Sequence, residues 1–224
     1  MIIFRNGEKK MNYLNFKNKF RDMPIIFTKD LFNTEVKKMQ LMCNQLSRWR
    51  QKGLIIKLKR GAYILNEADR KYNLSLQFIA NQLYGPSYVS VEFAFNLYGL
   101  IPEKVSDVTS VTTRKTMVIK NDLGIFSYQH IKPDAFRGFK LLKEDSGLTV
   151  FIAEPEKAVV DFLYLNLSKI PIDNIAIFKD SYRFQNLEQL KMDRIIELSK
   201  LFNNPKLMKV AANFCDFIKE EVKQ

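Results

Sequence analysis

Histidine occurs once in the 224 residues, as His130, and cysteine twice, as Cys43 and Cys215. A lone histidine removes most metalloenzyme and histidine-based triad chemistry. Two cysteines this far apart support neither a disulfide framework nor a zinc cluster. Glycine is sparse as well: there are eight, none of them clustered, so a glycine-rich phosphate loop is excluded. No apolar run approaches the roughly 20 residues that would span a bilayer, so no membrane partner is expected. The opening residues, MIIFRNGEKKMNYL, lack an apolar core and a small-residue cleavage site and do not read as a signal peptide. These absences lead to the expectation of a cytoplasmic protein with no metal and no cofactor.

Hydrophobic residues make up 46% and charged residues 27%, ordinary proportions for a folded chain long enough for one large or two small domains. The net charge of +12 is less ordinary, and it is unevenly placed. Residues 1–65 hold 15 Lys+Arg against 4 Asp+Glu, whereas the remaining chain holds 21 against 20. A basic block beside a balanced body suggests a module for a polyanion joined to a domain with another task.

The basic block has the order of elements found in a winged helix-turn-helix. Tyr13, Leu14, Phe16 and Phe20 recur at helical spacing until Pro24, whose ring pushes the residue before it out of the α region. Thr28 is placed to cap a short helix through Phe32. Asn33 and Thr34 supply a turn, and a longer helix runs from about Glu35 to Lys52, where Gly53 stops it. Val36, Met39, Met42, Cys43, Leu46 and Trp49 form its expected core stripe, with Arg50 packing its stem beside them. The period then changes to two: Leu54–Leu58, a basic Lys59-Arg60-Gly61 tip, and Ala62–Leu65, a short hairpin. Such a third helix fits the DNA major groove while the wing reaches flanking phosphates. The DNA-facing candidates are Lys37, Gln40, Leu41, Asn44, Gln45 and Arg48 on the helix, with Lys57, Lys59 and Arg60 on the wing. Asn and Gln side chains pair bidentately with adenine, Arg with guanine, and Leu41 suits a thymine methyl.

The expected fold is α+β: a winged helix-turn-helix over residues 1–66, then a mixed α/β domain over residues 67–224 that ends in two helices. In the second part Asn73 is placed to cap a helix through Tyr84, and Ser90 a helix over Val91–Tyr98 closed by Gly99. Strand patterns occur next at Val108–Thr113, Thr116–Ile119, Gly124–Ile131, Phe139–Leu142 and Leu148–Ala153. A helix opens at Glu154-Pro155, and the closing pair lies near Leu187–Phe202 and Pro205–Val222, with Asn204 as cap. Tyr84, Tyr88 and Tyr98 near helix ends suit either a core or a partner surface.

The run NQLSRWRQKGLIIKLKRGAY (Asn44–Tyr63) resembles the third helix and wing of AbiEi-type antitoxin regulators. SVEFAFNLYGLIPE (Ser90–Glu103), SVTTRK (Ser110–Lys115) and AEPEKAVVDFLYL (Ala153–Leu165) resemble the same family in the same order, over roughly residues 27–168. The resemblance implies a DNA-binding autoregulator of its own promoter, read as double-stranded DNA with inverted repeats where two protomers bind. It implies an antitoxin role against a nucleotidyltransferase-like toxin from the same operon, in phage abortive infection. It assigns DNA contact to Lys37, Asn44, Gln45, Arg48, Lys57, Lys59 and Arg60.

Two alternatives differ in class. One is a plain transcriptional regulator whose second domain senses a ligand or mediates assembly. The other is a metal-dependent nuclease built on Glu154, Glu156, Lys157 and Asp161, since carboxylates hold hard cations and a lysine steadies hydroxide. The same residues also suit a plain helix start: Pro155 at the first position, acids at the positive end of the dipole, and a Lys157–Asp161 pair one turn apart. An enzyme is therefore not expected, and His130, on a strand without a neighbouring nucleophile, is read as structural or exposed.

Overall fold

A computed structural model describes residues 11–31, 36–172 and 175–223, without the side chains of Asp30 and of residues 36–39. The expected turn at Asn33–Thr34 and the side chain of Lys37 lie outside the described residues. The fold is mixed α+β with two sheets, and the chain forms two compact units. The first holds residues up to Ser75 together with Lys120–Leu123, and the second holds Leu76–Ile119 and Gly124 onward.

The first unit opens with α1 (Tyr13–Phe20), whose start is capped by Asn12: its Oδ1 accepts the Asn15 N–H at 2.8 Å. Next come β1 (Ile26–Phe27), α2 (Thr28–Leu31), α3 (Val36–Gln51), β2 (Ile55–Lys59) and β3 (Ala62–Leu65). The strands form an antiparallel sheet in the order β1-β3-β2. β1 is too short to carry a sequence pattern, so periodicity does not reveal it. It exists because Ile26 and Phe27 pair with Tyr63 and Ala62, a long-range contact. Thr28 does not cap a helix with its side-chain oxygen. Its hydroxyl and its N–H both point to the Gly61 carbonyl, at 3.4 and 2.8 Å, tying α2 to the hairpin turn.

α3 ends at Gly53, whose φ of +69° lies in the left-handed region that glycine enters most readily. Gly53 N–H donates to Arg50 and Leu54 N–H to Trp49, the two bonds that close a Schellman turn. Met42, Leu46 and Trp49 are buried and pack with Phe16, Phe20, Ile26, Leu31, Ile55 and Leu65. Cys43, expected on this stripe, is exposed. At about 100° per residue it stands roughly 90° from the centre of the arc formed by residues 42, 46 and 49, so it turns to solvent. Arg50 is exposed, as a snorkelling head requires. Tyr13 clamps the base of the unit, donating to Leu54 O at 2.9 Å or Asp69 Oδ2 at 2.6 Å, and Lys17 pairs with Asp69.

The second unit contains α4 (Leu76–Leu83), β4 (Ser87–Val89), α5 (Val91–Tyr98), β5 (Val108–Thr112), the first three residues of β6 (Met117–Asn121), β7 (Gly124–His130), β8 (Phe139–Lys143), β9 (Thr149–Ala153), α6 (Pro155–Leu165), α7 (Ile177–Asp180), α8 (Met192–Lys200) and α9 (Pro205–Val222). The sheet order is β6-β7-β5-β4-β9-β8, with β4 parallel to β9 and antiparallel to β5. Asn73 is exposed and stands three residues before α4, so it is no cap. The expected Leu187–Phe202 helix is interrupted: a single 3-10 turn over Leu187–Gln189 precedes α8. Asn204 does cap α9, accepting Leu207 N–H at 3.1 Å, with Pro205 at the first helical position.

The parallel pairing of β4 and β9 brings two helix starts side by side. Both strands run directly into helices, β4 into α5 and β9 into α6, and Val89 is level with Ile152. Asn81 on α4 fixes β9 from the side: its Oδ1 accepts Phe151 N–H at 2.7 Å and its Nδ2 donates to Phe151 O at 3.3 Å. Among the described residues no helix is long and apolar enough to cross a membrane.

The phase of α3 has a direct test in Trp49, the single tryptophan and so a reporter for the first unit. Leu46→Ala, at a site with no exposure, should lower the urea stability read by Trp49 fluorescence by about 2–5 kcal/mol. Leu41→Ala, at a site 66% exposed, should change it by less than about 0.5 kcal/mol. Equal effects would place α3 in a different rotation.

Candidate functional site

The outer face of α3 is built by the same rotation that buries Leu46. Gln40, Asn44, Arg48 and Leu41 fall within about 100° of arc opposite the buried stripe, and all four are exposed. Gln40 Nε2 donates to Asn44 Oδ1 at 3.1 Å, one turn apart, so the two amides are held as a pair. Gln45 stands apart from this group. It is half-buried on the flank of the helix, and its Nε2 donates to the Met11 carbonyl, which binds the N-terminal segment to α3.

The hairpin places its basic residues less uniformly. β2 carries a bulge between Lys57 and Lys59, so that Lys57 faces Tyr63 and Lys59 faces Ala62. Leu58, the extra residue, is buried between these two half-buried lysines, and its carbonyl accepts from Asn121 Nδ2 at 2.9 Å. Arg60 is exposed at the turn. Gly61 beside it has a φ of +78°, and a Cβ there would stand 2.9 Å from Thr28 Oγ1, so the turn needs glycine on both counts. Four helix positions thus present amide, guanidinium and methyl groups outward.

The second unit holds a polar cluster of another kind. Lys157 and Asp161 on α6 have no solvent exposure, and Lys157 Nζ meets Asp161 Oδ1 at 2.6 Å. The other carboxylate oxygen accepts Ser90 Oγ at 2.8 Å and Tyr88 OH at 2.9 Å. Ser90 sits at the start of α5, as expected, but its hydroxyl serves Asp161 rather than the helix. Burial pushes the Asp161 carboxyl above the usual carboxylate range, opposed by the lysine and the two hydroxyls. Tyr88 is raised well above its ordinary value, first by burial and then by the adjacent carboxylate. The ammonium of Lys157 also lies 4.5 Å from the centre of the Phe202 ring, a cation–π contact.

The acidic residues around this cluster do not converge. Glu154 pairs with Arg194 at 3.0 Å, Glu156 accepts the Lys191 N–H at 3.0 Å, and Asp161 is enclosed by its three donors. Each carboxylate stabilises a different junction, of α6 with α8, with the start of α8, or with β4. Among the described residues no three His, Cys, Asp or Glu side chains approach closely enough to hold a metal ion. His130 is exposed on β7, with Nδ1 3.0 Å from Arg114 O.

Only the Lys157–Asp161 member of this cluster was visible in the sequence, as an i, i+4 pair. Tyr88 is separated from Asp161 by 73 residues, and no local pattern links them. The segments Ser90–Glu103 and Ala153–Leu165, on which the family resemblance rests, meet here through Ser90, Lys157 and Asp161. No protein-family model matches this chain, and no curated protein matches it.

Removing one member of a buried pair leaves the other uncompensated, whereas removing both does not. Lys157→Met should therefore cost about 3–5 kcal/mol in urea unfolding followed by far-UV circular dichroism. Lys157→Met combined with Asp161→Leu should recover a large part of that loss. A double variant no better than the single one would refute the pair as the source.

Proposed function

We propose that the first unit is a winged helix-turn-helix that binds double-stranded DNA, and that the protein is a transcriptional autoregulator and antitoxin. In this reading α3 enters the major groove and the β2–β3 hairpin is the wing. The observation that carries it is the coincidence of charge and geometry. Nearly all the excess positive charge lies in residues 1–65, and α3 there turns Gln40, Leu41, Asn44 and Arg48 outward. Side chains of these types read base edges, and basic residues on a wing hold phosphates. The helix candidates Lys37 and Gln45 and the wing residues Lys57, Lys59 and Arg60 complete the interface. Gln45, tied to Met11, contributes by fixing the helix flank or exchanges that bond for a base.

The antitoxin part rests on the ordered resemblance to AbiEi-type regulators. It assigns the second unit, acting in the cytoplasm, to counter a nucleotidyltransferase-like toxin from the same operon. The buried Lys157–Asp161 cluster supports a scaffold role for the resembling segments, because residues enclosed this way maintain a fold rather than meet a substrate. Autoregulation through a symmetric operator places two protomers on an inverted repeat.

The DNA upstream of the gene is the substrate for the test. Neutralising five or six phosphates gives a slope of log K against log salt of about −5 in fluorescence anisotropy. Arg48→Ala should relax sequence preference, and Arg60→Ala should weaken all sequences alike. Absence of binding at low salt would overturn the DNA reading. Failure to relieve the toxicity of the neighbouring gene product on co-expression would overturn the antitoxin reading alone.

A further inference from the structure

A cleft of about 380 Å³ opens in the second unit, between α5, the loop after it, the end of α6 and the segment following α7. That volume is within the range of small-molecule sites, roughly 300–1,000 Å³. Four aromatic residues share its lining with Ile101, Val105, Glu103 and Lys169: Tyr182 is half-buried, and Phe95, Phe162 and Phe184 are no more than 5% exposed and pack edge to face. Phe162 lies 4.8 Å from Tyr182, and Phe95 lies 5.1 Å from Phe184 between ring centres. Arg183 between the last two has a φ of +52°, a left-handed turn that lets both neighbouring rings line the cleft. The arginine pairs with Glu103, itself part of the cleft lining, at 2.8 Å.

Glu92 stands among these rings. Burial raises its carboxyl above the ordinary range, opposed by a bond from its own backbone N–H, and burial first and then the Glu92 charge raise the Tyr182 hydroxyl. Among the described residues no lysine or arginine forms an ion pair with it. Lys169, exposed at the same cleft, acts on it only at longer range. The residue before it, Val91, has a φ of +58°, uncommon for a β-branched side chain, so the backbone is held away from its preferred region where α5 begins. An anionic oxygen pair without an ion-pair partner, beside four aromatic rings, is complementary to one chemical class: a positive charge carried on an apolar body.

We infer that this cleft binds a small organic cation, an ammonium or guanidinium ion with an aromatic or aliphatic body, its charge on Glu92 and its body against Tyr182, Ile101 and Val105, the partly exposed apolar residues of the lining. Neither DNA binding nor antitoxin action enters this inference, and its test uses neither.

The probe pair is 2-phenylethylammonium and its neutral isostere 2-phenylethanol, titrated calorimetrically into the full-length protein. The cation should bind about tenfold or more tighter than the alcohol. Glu92→Gln, which preserves shape, should erase that difference. Lys169→Met removes a competing positive charge from an exposed position and should tighten cation binding. Three results each overturn the proposal: equal binding of cation and alcohol to the unaltered protein, no heat from the cation up to about 10 mM, or weaker cation binding in Lys169→Met. The first comparison needs no variant, so it decides the matter even if Glu92→Gln unfolds.

Discussion

Asp161 has no contact with water, and the second unit is arranged around that fact. A lone carboxylate in such a place would be strongly destabilising. Here it is met by an ammonium one helical turn back and by two hydroxyls from the neighbouring strand end. Those hydroxyls arrive at the right height only because β4 and β9 are parallel neighbours that both run into helices. The network therefore checks strand register: a slip of β4 by one residue would turn Tyr88 to the other face and strand the carboxylate. Gly138 shows how closely the lysine is packed. A Cβ there would stand 3.2 Å from Lys157 Cγ and 2.8 Å from Leu198 Cδ2, so the β8 approach to α6 and α8 leaves no room for a side chain.

What could be read in the sequence divides by range of interaction. α5, α6 and α9 begin or end at residues with local chemistry, such as Gly99, Pro155 and Asn204, and their bounds come from that chemistry. β5, β7, β8 and β9 are visible through their β-branched and alternating residues. β1 and β4, with two and three residues, carry no periodicity and exist only through partners 35 or more residues away or across the sheet. Ser90 and Thr28 show the same limit. Each stands where a cap is expected, but its hydroxyl is turned to donate to an acceptor elsewhere, the Gly61 carbonyl or Asp161. The outer face of α3 was legible because helix phase is local. The tether of Gln45 to Met11 was not, since it depends on where another segment passes.

The two units treat charge in opposite ways, and that contrast bears on what each is suited to. The first keeps its excess outside: Arg48, Lys52 and Arg60 are exposed, and the core below them is wholly apolar or aromatic. Asp69 there is held below the usual carboxylate range by bonds from Lys17 and Tyr13, and it anchors α1 to the segment after the hairpin. The second unit takes charge inside and cancels it there, or ties it across helix junctions as Arg194 does with Glu154 and Glu197. An outward, uncancelled surface suits a diffuse polyanion, whose field is felt over about a Debye length. An inward, cancelled set leaves little long-range field, so recognition by the second unit must come from shape and short-range contacts. Glu92 differs from Asp161: among the described residues it has no ion-pair partner, and it stands in a cleft lined in part by rings. Where Asp161 is met by a buried ammonium, Glu92 is met only by its own backbone N–H and by Lys169 at longer range, and there a ligand of opposite charge has the most to gain.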